Sequence, residues 1–173
     1  MASELAQRLL ERNDFVNAKR DKVRVFVISS AEALPVVREL QKQFAYDPFV
    51  TVPWNQGVFR VASYTLEDIE REIDQCDFAV AIAYGDDVTS SRGNDWPAPR
   101  DNVIFELGLS MGRIGRHRAI LMEPRGEGVK LPSDMAGIMT IPFVFDPKQD
   151  TAAKFSPACN MLRDHIMKLG TII

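Results

Sequence analysis

The stretch that most limits how this chain can fold is Phe78 to Tyr84, which is almost continuously apolar. A run this short fits a strand covered on both faces, as in a parallel sheet. Further β-rich runs are Val23 to Ile28, closed by Ser29-Ser30, then Phe49 to Val52, Ala119 to Met122 and Met139 to Phe145. Segments with helical spacing lie between them. Ala31 to about Tyr46 carries Leu34, Val37, Leu40 and Phe44 on one side, with Ser30 able to cap it and Glu32 suited to its positive end. Thr65 to Cys76 places Leu66, Ile69 and Ile73 inside, with Thr65 as N-cap. Leu131 to Ala136 allows one helical turn. Asp150 to Leu169 forms a last helix, in which Pro157 either divides the helix or marks its first turn. Strand and helix alternate with short loops, so the expected fold class is α/β, a central parallel sheet of about five strands with helices on both faces. Ligands of such sheets bind beyond the carboxyl ends of the strands. Ser29-Ser30, the Trp54 loop, the Asp86 loop and the loop from Glu123 leave those ends.

Composition narrows the function. The chain has 173 residues, 46% of them hydrophobic, enough for one domain with a real core. A net charge of -3 argues against a nucleic-acid partner. Two distant cysteines and two histidines give no disulfide framework and no zinc pattern, so no metal is expected and a reducing cytoplasmic setting is. No apolar run approaches the roughly 20 residues that cross a membrane, and the N-terminus has no signal-peptide core. Residues 2 to about 20 are polar, with Leu5, Leu9 and Leu10 on one stripe. They read as a linker helix, dividing the chain into 1–21 and a domain over 22–173.

The chemistry is expected around Pro97 to Gly112. Two prolines forbid helix before Arg100, and Asp101 suits the N-cap of the helix that follows. That helix carries Glu106 in its second turn. Asn102 lies four residues earlier and so on the same face. Gly108, Gly112 and Gly115 each weaken a helix, which makes sense where another backbone packs closely.

Glu106 can hold ribose hydroxyls and stabilise an oxocarbenium-like transition state at a sugar–base bond. Equally, it can be a half-exposed helix glutamate paired with Arg113. Trp54 and Phe59 can form a platform for a flat ring, in which case Trp54→Ala would spare stability, or they can tuck into the core. Asn55 and Arg60 can bond ribose or phosphate. Ser29 and Ser30 offer hydroxyls and backbone N–H groups to an anion, or simply cap a helix. Asp86, Arg92 and Arg100 complete a polar cluster in which the arginines meet phosphate or pair with Asp86, Asp87 or Asp101. There is no glycine-rich phosphate fingerprint and no catalytic triad.

Taken together, Val25-Phe26-Val27-Ile28-Ser29-Ser30, Trp54-Asn55-Gln56-Gly57-Val58-Phe59, Gly85-Asp86-Asp87-Val88-Thr89-Ser90-Ser91-Arg92-Gly93, Pro97 to Gly108 and Leu131-Pro132-Ser133-Asp134 resemble one family. It is the predicted nucleotide-binding, TIR-like domain of bacterial antiphage effectors, found in TIR-STING proteins and Pycsar TIR effectors. The resemblance covers about residues 23 to 145 and implies a flavodoxin-like TIR fold. It also implies hydrolysis of NAD+, which is then substrate and not cofactor, with Glu106 as the catalytic carboxylate. The loop from Trp54 to Ala62 becomes the counterpart of the TIR BB loop. The partners it implies are further copies of the domain, in an oligomer or filament, and an upstream cyclic-nucleotide sensor that this chain does not visibly carry. A non-catalytic TIR assembly module and a nucleoside deoxyribosyltransferase-like enzyme are the competing readings.

Overall fold

The computed structural model describes residues 6–11, 22–54, 66–135 and 137–172. Residues 6–11 form a short helix, α1. Strands β1 (Val23–Ile28), β2 (Phe49–Pro53), β3 (Phe78–Ile82), β6 (Ala119–Pro124) and β7 (Met139–Phe143) make one sheet in the order β2-β1-β3-β6-β7. Every pairing in it is parallel. Helices α2 (Leu34–Gln43) and α5 (Thr151–Leu169) cover one face, and α3 (Leu66–Asp74) and α4 (Asp101–Ile114) the other. This is the flavodoxin-like arrangement, with the chain reversing direction across the sheet between β1 and β3.

Strand alternation explains the layering. Val25 and Val27 of β1 and Phe78, Val80 and Ile82 of β3 pack under α2 and α5. Phe26 and Ile28, with Ala79, Ala81 and Ala83, pack under α3 and α4. Successive side chains of a strand point to opposite faces, so one apolar run supplies both layers.

Several local expectations are corrected. The polar stretch after Gly85 is not an open loop. It forms an antiparallel hairpin of β4 (Asp87–Ser91) and β5 (Asn94–Ala98). Its turn residues Arg92 and Gly93 have φ of 54° and 80°, both left-handed, as a tight two-residue hairpin turn requires. The first helix of the domain begins at Leu34, and Ser30 closes the turn before it by accepting the Ala33 N–H at 3.2 Å. α4 begins at Asp101 itself, with Arg100 in the cap position and no side-chain cap; Asp101 acts only as an acid in the first turn. Thr65 lies outside the described residues. α5 passes through Pro157 unbroken. Among the described residues, nothing outside the helix's own backbone and the adjoining residues stands within 4 Å of a Cβ placed on Gly108, Gly112 or Gly115, so no neighbouring backbone there accounts for them. Gly115 instead ends α4 with φ +88°. The glycine that does need to be one is Gly85, where a Cβ would meet Pro97 Cβ at 2.9 Å.

Trp54 is not an exposed platform. It is 8% exposed, its ring lies 5.9 Å from Phe26, and its backbone N–H donates to the Val27 carbonyl at 2.8 Å. Trp54→Ala is therefore expected to destabilise the fold by about 3–5 kcal/mol, measured by denaturant unfolding. A melting temperature unchanged by the substitution would contradict this placement.

Candidate functional site

The sheet order puts the carboxyl ends of β1 and β3 side by side with their connections departing in opposite directions. A crevice opens at such a point, and it is where open α/β sheets receive ligands. Ser29 and Ser30, 2% and 3% exposed, leave β1 there. Ala83 to Asp86 leave β3 there. The contact of Gly85 with Pro97 and the Lys130 N–H to Pro97 carbonyl bond of 2.7 Å seat the hairpin base beside this crevice.

Asp86 is half-buried, and its Oδ2 is buried with no hydrogen-bond partner among the described residues. Burial holds its carboxyl above the usual carboxylate range. The Ser30 hydroxyl opposes that shift, Glu32 adds to it, Arg100 opposes it, and Asp87 adds to it. Arg100 itself forms an ion pair with Glu32 at 2.5 Å, with both side chains 47% exposed. The sequence placed Glu32 only at a helix end. Nothing local in the sequence signals the Arg100 partnership, which spans the β1 and α4 connections.

Glu106 is 2% exposed on α4. Neighbouring Val103 and Leu107 pack toward the alanines of β3, and Ser110 Oγ donates to the Glu106 carbonyl at 2.8 Å. Pairing of Glu106 with Arg113 is not what forms. Arg113 bonds Asp74 through Nε at 2.8 Å and stands 3.4 Å from Glu70. Asn102 shares the side of the helix with Glu106 but is exposed, in the first turn of α4.

Thus Ser30, Asp86 and Arg100 come together past the carboxyl ends of β1 and β3, with Ser29 next to Ser30 in the chain and Glu106 on the helix that follows Arg100. Arg92 does not join them. It is exposed at the hairpin tip, roughly 20 Å of extended strand from Asp86. Asn55, Phe59 and Arg60 lie outside the described residues. Among the described residues no group of three His, Cys, Asp or Glu is placed to hold a metal, and no helix is long and apolar enough to cross a membrane.

Fold and crevice together define a TIR-type domain. Residues 24–144 match the family described as CAP12/Pycsar effector protein, TIR domain. The chain belongs to that family. It is 76% identical over 172 residues to the Pycsar effector protein BcPycTIR of Burkholderia cepacia, covering 99% of this chain and 57% of that protein. It is 55% identical over 170 residues to XpPycTIR of Xanthomonas perforans, covering 98% and 56%. It is 35% identical over 123 residues to CD-NTase-associated protein 12 of Flavobacterium daejeonense, covering 70% and 38%. The chain spans little more than half the length of the nearer two.

Neither cysteine serves the chemistry. Cys76 and Cys159 are 1% and 0% exposed, and desolvation pushes each thiol up to about 12. At neutral and mildly alkaline pH both therefore stay protonated. The expected result is that a thiol reagent labels the folded protein no faster than the protein opens, and labels both sites at once in denaturant. Rapid native-state labelling would contradict it.

Proposed function

We propose that this domain is an NAD+ nucleosidase, the effector domain of a bacterial antiphage protein activated by a cyclic nucleotide. Residues 1–21 would act as the linker to a sensor. The observation that carries this reading is the carboxylate of Glu106, buried on the helix that rises from the β1/β3 crevice. A carboxylate in a water-poor site is far more effective at stabilising positive charge than one in bulk water.

In the proposed reaction the bond between ribose C1′ and the nicotinamide nitrogen breaks. The bonding pair leaves with the base, which departs neutral. Positive charge develops on the ribose, where Glu106 offsets it. Water adds at C1′ and releases a proton, giving ADP-ribose and nicotinamide. Membership of the Pycsar effector TIR family supports the defence role. An adaptor that worked only by self-association would have no use for a buried acid at this position.

Glu106→Gln preserves size and helix preference while removing the charge. It is expected to lower NAD+ turnover by ~10²–10³-fold or more with the fold intact. Near-normal turnover by folded, assembled Glu106→Gln protein would refute the assignment.

Glu106 is 2% exposed in the single chain, which leaves substrate little of its carboxylate to meet there. The reactive state therefore needs a rearrangement, which TIR–TIR assembly into an oligomer or filament would supply. Specific activity should be low in dilute solution and rise steeply with protein concentration or on fusion to an inducible oligomeriser, since tethering raises effective concentration to roughly millimolar. High activity that is independent of concentration at nanomolar protein would show that one chain holds a complete site.

A further inference from the structure

We propose that Asp86, positioned by Ser30, accepts a hydrogen bond from one ribose hydroxyl of the dinucleotide and so fixes the sugar over the β1/β3 crevice. The inference rests on the reading of the domain as an NAD+ nucleosidase, but it concerns a different side chain and a different step, substrate positioning.

Three observations converge on it. Asp86 stands where the strand order reverses, which is the ligand position of this class of sheet. Its Oδ2 is buried and has no partner among the described residues, and a buried acceptor without a donor is costly. The Ser30 oxygen accepts the Ala33 N–H, which leaves its hydroxyl proton for the Asp86 carboxylate beside it. One carboxylate oxygen is thus held by the protein, and the other lies buried past the end of β3 with no donor among the described residues, so a ligand hydroxyl reaches it when the rim opens to the dinucleotide.

The surroundings select the ligand group. Glu32 and Asp87 face Asp86, Arg100 is bound to Glu32, and Tyr84 has Glu127 beside it. A phosphate would meet net negative charge here. A neutral hydroxyl donor meets none of that repulsion and supplies the missing hydrogen bond.

The electrostatics give the test an independent readout. Burial raises the Asp86 carboxyl, so the folded protein holds that proton more tightly than the unfolded chain does. The contribution of Asp86 to stability is full below the range of an unfolded aspartate and is lost as pH rises through its folded value. Ionised Asp86 therefore costs the empty site stability at neutral pH, and a hydroxyl donor offsets that cost. Dinucleotide affinity should consequently fall as the medium is acidified through this carboxyl.

The experiment uses the full chain, assembled, with steady-state kinetics on NAD+ and calorimetry of NAD+ binding to Glu106→Gln protein. Asp86→Asn is expected to raise KM, and the calorimetric Kd, roughly ten- to hundredfold, the range of a hydrogen bond to a charged group, with little change in kcat. Its melting temperature should equal or exceed that of the wild type at neutral pH, and the difference should close in acid. Ser30→Ala should give a smaller rise in Kd and move the acid limb of binding to higher pH. NAD+ analogues each lacking one ribose hydroxyl identify the contact. One of them should lose affinity for the Glu106→Gln protein but lose nothing further when Asp86→Asn is added.

Additive losses for every analogue, or an unchanged Kd in folded Asp86→Asn protein, would overturn the proposal. So would failure of the Glu106→Gln protein to bind NAD+ at all. Binding that shows the expected coupling, without cleavage by wild-type protein, would support Asp86 and overturn only the nucleosidase reading.

Discussion

The two-sided alternation of β3 is the constraint on which the rest of the domain depends. Phe78, Val80 and Ile82 fill the layer under α2 and α5, while Ala79, Ala81 and Ala83 leave the other face almost flat. A flat face lets α4 lie close, and it leaves little room for larger side chains, since overpacking a tight layer typically costs about 1–3 kcal/mol. The depth at which α4 sits then decides that Glu106 is buried and Asn102 is not. It also fixes where the α4 start, with Arg100, meets the Ser30 turn. The site is a consequence of methyl groups on the neighbouring strand as much as of the acids that line it.

The two ends of the sheet are treated differently. At the amino end, fully buried Asp77 accepts the N–H of Arg24 at 2.8 Å and that of Ile172 at 2.9 Å. Arg118 donates to the carbonyls of Asp77, Leu169, Gly170 and Thr171 and lies over the Phe78 ring at 4.8 Å. These are charged groups whose hydrogen-bonding capacity is spent on backbone, an arrangement that tolerates burial. Asp47 and Arg163 similarly tie the α2 end to α5. At the carboxyl end, by contrast, Asp86 keeps a buried oxygen without such a partner among the described residues. One edge is closed by its own hydrogen bonds, and the other is left to something else.

How much of this was legible follows from the physics of each signal. The strands and the layering could be read because apolar runs and helical spacing are local properties of the chain. The parallel sheet and a ligand rim beyond its carboxyl ends followed from alternation and short connections, whereas the strand order that puts β1 beside β3 did not. Glu106 stood out as an acid on an apolar helix, and its burial bears on that reading without testing its role. The β4–β5 hairpin was missed because its strands are polar and carry Pro97, which weakens a strand signal. In retrospect Arg92-Gly93, flanked by Thr89, Ser90 and Ser91 and by Trp96, was the available cue. The partners of Arg100 and Arg113 were illegible because ion pairs join residues remote in sequence: Glu32 and Arg100 are 68 positions apart, and Asp74 and Arg113 are 39. Trp54 was ambiguous for another reason. A tryptophan just after a strand can face in or out; here its backbone N–H bonds the Val27 carbonyl and its ring meets Phe26.

Local choices in a folded chain usually agree with one another, and the places where they conflict tend to be functional. This rim has such a conflict. Glu106 is placed in an apolar layer, and Asp86 is half-buried beside Glu32 and Asp87 with one arginine already engaged. An asparagine at 86 could occupy the same space without charge. Burying an ionisable group is expensive, so a carboxylate kept at 106 on a mostly apolar helix runs against the pattern of that helix. The well-satisfied amino end of the sheet, with Asp77 and Arg118, supplies stability that the carboxyl end can then spend. A carboxylate at the open end of a parallel sheet is most stable when a ligand completes its hydrogen bonds. Substrate and fold are then coupled through the same few atoms, and a domain built in this way is expected to be tightest when occupied.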